Sequence, residues 1–111
     1  MNPLRQGDVL LIPTQQQQTL GQQLPHLTLA EGEVTGHKHR ITDGSAQLYE
    51  VDGTLYLQVL SEIALLTHEE HEEIAVPRGV WMVRIQREYE PAGWRYVAGW
   101  RYVAGWRYVA D

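Results

Sequence analysis

Two β-rich runs, residues 46–51 and 54–60, meet at Asp52-Gly53, and no other stretch constrains the fold of this chain as strongly. Asp-Gly tolerates the left-handed backbone that a two-residue hairpin turn demands. Within the second run Leu55, Leu57 and Val59 fall on one side, which is the period of a strand with one buried face. The junction therefore predicts an antiparallel hairpin.

The flanking sequence keeps the same grammar. Gly7-Asp8-Val9-Leu10-Leu11-Ile12-Pro13 is a short apolar run between Gly and Pro, suited to a buried first strand. Residues 14–23, with four consecutive glutamines, lack apolar periodicity and are expected to form a surface loop. Residues 27–41 alternate loosely around Gly32 and Gly36, as two strands or one bulged strand would. Asp43-Gly44 offers a second tight turn. In residues 61–73 the spacing of Ile63, Leu66 and Glu70 would suit a helix, but a strand through Ala64-Leu65-Leu66-Thr67 that ends in a single turn capped by the Thr67-x-x-Glu70 pattern is the favoured reading. Pro77-Arg78-Gly79 reads as a turn. Residues 80–88 form the clearest strand, with Trp81, Val83 and Ile85 on the core side and Met82, Arg84, Gln86 and Glu88 opposite. Short strands with close Gly and Pro punctuation indicate an all-β fold, a small antiparallel β-barrel or sandwich.

Length and charge narrow the function classes. A chain of 111 residues is one domain in size, here residues 1–92 followed by a distinct tail, residues 93–111. A formal net charge of -5 argues against general affinity for nucleic acid or acidic membranes. The lack of cysteine excludes a disulfide framework and a thiolate metal site. Residues 1–8 lack a basic-then-apolar leader pattern, and no apolar run reaches the roughly 20 residues that span a bilayer. A cytoplasmic location is the expectation.

Four of the five histidines fall in two close pairs, His37-Lys38-His39 and His68-Glu69-Glu70-His71. Thr35, His37, His39 and Ile41 share one face if the segment is a strand. Two imidazoles at i and i+2 on a strand can reach one cation, and an i, i+3 pair on a turn can do the same. His37, His39, His68 and His71 are accordingly the candidate ligands of a divalent transition metal, Zn, Ni, Mn or Fe. Glu69, Glu70, Glu72 and Glu73 can add oxygen ligands or fix a histidine tautomer. A second reading leaves His68 and His71 as solvated members of a charged loop and His37 and His39 hydrogen-bonded locally. Arg84, Arg87 and Glu88, next to the strand face that looks toward solvent or a cavity, are candidates for binding an anionic ligand.

Two segments, Gly32-Glu33-Val34-Thr35-Gly36-His37-Lys38-His39 and Ile74-Ala75-Val76-Pro77-Arg78-Gly79-Val80-Trp81-Met82, resemble the two motifs of the cupin superfamily. The resemblance covers about half the chain and implies a small β-barrel with a metal held by His37, His39 and Asp43. Asp43 stands where cupins have a glutamate, Met82 replaces the second-motif histidine, and Gln86 replaces its asparagine. His68 or His71 would have to substitute for the missing ligand. A small metal-dependent enzyme is the alternative that follows. No cysteine nucleophile, phosphate-binding glycine loop or nucleophile elbow is present, and His68-Glu-Glu-His71 is too short for the helical motif of zinc proteases.

The tail writes Gly-Trp-Arg-Tyr-Val-Ala three times without change. Six is a multiple of the strand period, so an extended tail lines Trp94, Tyr96, Trp100, Tyr102, Trp106 and Tyr108 along one side. At about 3.3 Å per residue it would reach roughly 60 Å, farther than a domain of this size is broad. Unpaired edges and an aromatic stripe favour strand addition, so the tail predicts a homo-oligomer joined through an extended C-terminal β-arm. Duplication or engineering of a shorter tail would explain the exact triplication equally, and stacking on single-stranded nucleic acid is the remaining alternative. The sequence as a whole predicts a self-associating β-barrel binding or scaffold module with a metal-competent histidine cluster.

Overall fold

The computed structural model describes residues 1–15, 21–32 and 35–86, with the backbone of 89–90, 93–94 and 100–101. It is all-β and antiparallel. Among the described residues there is no helix, and so none long and apolar enough to cross a membrane. The strands are β1 (Leu4–Gln6), β2 (Val9–Thr14), β3 (Gln22–Gln23), β4 (Thr28–Gly32), β5 (Lys38–Asp43), β6 (Ala46–Val51), β7 (Thr54–Thr67) and β8 (Ile74–Ile85), followed by the two-residue pieces β9 (Tyr89–Glu90), β10 (Gly93–Trp94) and β11 (Trp100–Arg101).

The spine is the long β7–β8 pair, which runs from Leu55↔Val83 to Leu66↔Ile74. β6 joins β7 through the turn at Asp52-Gly53, with Val51 facing Thr54. Both turn residues have positive φ, 50° and 80°, as a type I′ turn requires. The expected hairpin is therefore present.

Asp43-Gly44 does something else. β5 pairs with the far half of β7, from Arg40↔Thr67 to Asp43↔Leu65, while β6 pairs with the near half, from Ala46↔Val59 to Val51↔Thr54. β5 and β6 thus lie end to end along one neighbour, and Asp43-Gly44 is a kink between them rather than a hairpin. β7 and β8 change register at the same level, between Val59 and Ile63. Pro77-Arg78-Gly79, expected as a turn, is also a kink, inside a continuous β8. A proline at a bulge loses no ladder bond, and Gly79 adopts a φ of 143° closed to most side chains.

The three kinks align into one crease, across which β7, β8 and the line of β5 and β6 change the parity of their buried residues. His39 and Ile41 give way to Leu48; Leu55, Leu57 and Val59 to Ala64 and Leu66; and Val76 to Trp81 and Val83. An odd slip in one strand alone would turn its apolar set to solvent. Shared by neighbours, it keeps the core continuous while the sheet folds over. Polar bonds pin the crease. Ser61 Oγ accepts from the Ser45 amide and donates to Ile63 O, and Arg78 Nε donates to Leu60 O at 3.1 Å.

The two wings enclose one apolar cluster that includes Val9, Leu11, Leu29, Leu48, Leu57, Leu66 and Trp81. Trp81 is fully buried and donates its Nε1 hydrogen to Pro77 O at 3.0 Å, so its polar edge is satisfied where its ring is packed. The expected barrel does not close. The path β1-β2-β8-β7-β5-β4-β11, with β6 and β3 branching from β7, has separate ends among the described residues. It is a creased open sheet, because β7 is long enough to serve two different neighbours on one edge.

Candidate metal centre

The end of the sheet where β7 turns into β8 collects the histidines. His39 lies on the inward face of β5, beside Ile41 and opposite Ala30 of β4, and is fully buried. His68 continues the inward alternation of Ala64 and Leu66 just beyond β7, and the β5–β7 register carried one step further sets it opposite His39. Their ring centroids are 4.2 Å apart. The β7–β8 loop brings His71 to 4.6 Å from His68 and 5.8 Å from His39. His37, at the β4–β5 turn, meets His68 edge-on at 5.5 Å. The two pairs separated in sequence thus form one cluster of four imidazoles, with His39, His68 and His71 stacked and His37 edge-on.

His68 is only 8% exposed, so it is no solvated loop residue. The expected cap on the turn is also absent in that form. The Glu70 amide donates to His68 Nδ1 at 3.0 Å, while Thr67 Oγ1 donates to Arg40 O across the sheet. A ring nitrogen next in line intercepts the donor that a helical turn would have offered to the threonine.

His39 has its own partner. Its Nδ1 is 2.9 Å from Oε1 of Gln6, a buried residue of β1 whose Nε2 donates to Leu66 O at 2.8 Å and Glu72 O at 2.9 Å. Two carbonyls can be satisfied only by the NH2 group, so Oε1 must accept and His39 Nδ1 must carry the proton. His39 Nε2 therefore holds a lone pair, is buried and has no hydrogen-bond partner. Burial, and then the charges His68 and His71 would carry, push the His39 pKa down to about 3. The ring is a neutral nitrogen donor throughout the physiological range.

Carboxylates close the outer side. Glu69 accepts the Lys38 amide at 2.8 Å. Partial burial pushes its carboxyl pKa up, but that bond, its own amide and nearby His37 and His68 outweigh burial and hold it below the usual range. Glu70 Oε1 lies 2.9 Å from His37 Nδ1, a close contact without hydrogen-bond alignment. His37, His68 and Glu69 each offer a ligand atom, all within 4.8 Å of one another. That is a nitrogen and oxygen donor set for a borderline divalent cation. A cation held there would supply Lewis-acid chemistry to a bound oxygen.

Other candidates lie elsewhere. Asp43, the residue at the cupin carboxylate position, is exposed at the crease with Oδ1 accepting from the Gly44 amide. Arg84 is exposed on β8 in register with Leu10, away from the histidine stack. Arg87 and Glu88 lie outside the described residues, as do the side chains of Trp94, Tyr96, Trp100, Tyr102, Trp106 and Tyr108. Gln6 carried no sequence signal, since a lone glutamine before a glycine looks like any polar turn residue.

A creased all-β sheet with a buried histidine stack at one end is thus the class of domain that fold and site define. The chain belongs to the family described as a domain of unknown function, DUF8820, which it matches over residues 5–86. The matched span takes in every residue of the stack and stops short of the hexapeptide repeats. No curated protein and no solved structure matches the chain.

Proposed function

We propose that this domain binds a divalent transition metal at the sheet end, through His37, His68 and Glu69, with His39 Nε2 and His71, whose rings pack next to that group without being part of it, as further donors. The observation that carries the reading is the buried, unpartnered lone pair of His39 Nε2 within a stack of imidazoles. A buried polar atom left without a partner costs about 1–3 kcal/mol, and a bound cation would recover that cost. His68 must adapt as the ion enters, because its Nδ1 already accepts the Glu70 amide. Thermal unfolding with Zn, Ni, Mn or Fe tests the reading. A rise in Tm that His39→Leu and His68→Leu both abolish is expected, and no rise with any of the four metals would reject it.

A second reading concerns assembly, and backbone pairing favours it. Trp100 and Arg101 of the second repeat pair antiparallel with Gly32 and Glu31 on the outer edge of β4. A six-residue slip would present Trp94 or Trp106 to that edge with the same faces. Strand addition in trans would then join copies of the chain, making the domain a self-associating scaffold with a metal-bearing end. Light scattering at micromolar concentration should give a mass above one chain, reduced to one chain when residues 93–111 are deleted. A single-chain mass for the full protein would rule this out.

A further inference from the structure

We propose that Gln6 is a positioning residue of the metal centre, fixing His39 in the tautomer that points a lone pair at the ion; this rests on the metal-binding reading above. Gln6 is 3% exposed, and both Nε2 hydrogens and Oε1 are engaged. Its NH2 group is tied to two carbonyls of separate segments, Leu66 at the end of β7 and Glu72 in the β7–β8 loop. Those two bonds hold the amide in one orientation, since a flip would set its oxygen against two acceptors. Oε1 has no hydrogen to give, so the His39 ring can meet it only with Nδ1–H. The proton is thereby kept off Nε2, which is buried and has no hydrogen-bond partner. A metal-bound imidazole commonly has its other nitrogen held in this way by a carboxylate, carbonyl or water. Here a neutral side-chain amide fills that place, and it also staples the loop that carries His68 and His71.

The two roles separate chemically. Gln6→Glu keeps an acceptor for His39 Nδ1–H but gives up both donated bonds to the carbonyls, whereas Gln6→Met gives up all three. Long-range proton–nitrogen correlation spectra of the metal-free proteins report the His39 tautomer, and zinc competition with a chromophoric chelator reports affinity. Wild type should show Nδ1–H. Gln6→Glu should keep that tautomer and most of the zinc affinity, and Gln6→Met should lose the tautomer and weaken zinc about 10–100-fold. Equal losses in the two variants would overturn the proposal, because the staple alone would explain them, and so would an unchanged affinity in Gln6→Met. Should both variants fail to fold, the wild-type tautomer still decides: Nε2–H contradicts the assignment. A wild-type protein that binds no zinc overturns the metal reading itself, a result the metal-free spectra identify separately.

Discussion

Gln6 Oε1 accepts the Nδ1 hydrogen of His39 at 2.9 Å across 33 residues of sequence, both residues being buried. That bond satisfies one ring nitrogen and leaves the other, Nε2, as a buried lone pair on a ring packed against His68 and His71. The arrangement is costly for a protein that needs only a core, since leucine would fill the space without desolvating a nitrogen. It becomes economical once a cation shares the lone pair.

Acid should destabilise the metal-free domain. The folded pKa of His39 is about 3, far below the 6.5 of the free side chain, so the unfolded chain binds the extra proton as pH falls. The stability that rests on neutral His39 is complete above about pH 6.5 and is lost between there and about pH 3, at up to roughly 1.4 kcal/mol per pH unit. Glu69, with its folded pKa lowered, acts in the same direction at the acid end, because its contribution exists above the free value and disappears below it. Urea unfolding should show a loss of about 2 kcal/mol from pH 7 to pH 5. Equal or greater stability at pH 5 would mean that His39 is not held neutral.

Gly7→Ala should strike the site harder than the fold. Gly7 has a φ of 59°, and a Cβ there would sit 2.6 Å from His71 Nε2. The backbone strain costs about 1–2 kcal/mol, and the imidazole must also move. Zinc affinity should fall at least tenfold in a variant that still unfolds cooperatively. Unchanged affinity would remove His71 from the centre.

Gly44→Ala should damage the crease and spare the chemistry of the site. A Cβ at Gly44 would meet Ile63 O at 2.6 Å and Ala64 Cα at 2.7 Å, both backbone atoms that cannot swing aside, at a φ of 91°. Left-handed strain and overpacking together should cost about 2–4 kcal/mol in denaturant unfolding. A cost under about 0.5 kcal/mol would show that the strands can part at the crease without penalty.

The hairpin at Asp52-Gly53 was legible because the turn residues, the flanking alternation and the final pairing are all local. The crease was not. Asp43-Gly44 and Pro77-Arg78-Gly79 carry the residues of turns, and the same residues serve wherever a strand must bulge, so only the length of β7 distinguishes the two outcomes. That length was hidden because the parity of its buried residues changes after Val59, which breaks the alternation into two apparent strands around exposed Leu60 and Ile63, 42% and 49% accessible. Strand period set His39 beside Ile41 on the inward face, but His37 lies in the turn before β5 rather than on the strand face expected for Thr35, His37, His39 and Ile41, and it joins the cluster through His68. What brings His68 beside His39 is the β5–β7 register, a long-range pairing that no local pattern encodes. Gln6 was invisible for the same reason: its meaning lies in Leu66, Glu72 and His39, none of them near it in sequence.

The most direct test of the metal centre is cobalt substitution monitored by visible absorption, with the metal content of the same sample measured by elemental analysis. The proposed metal-binding function predicts about one cobalt per chain, with the ligand-field bands of a low-coordinate nitrogen and oxygen site that disappear in His68→Leu. Purified folded protein that retains no cobalt after desalting, or whose spectrum is unchanged by loss of His68, would contradict it.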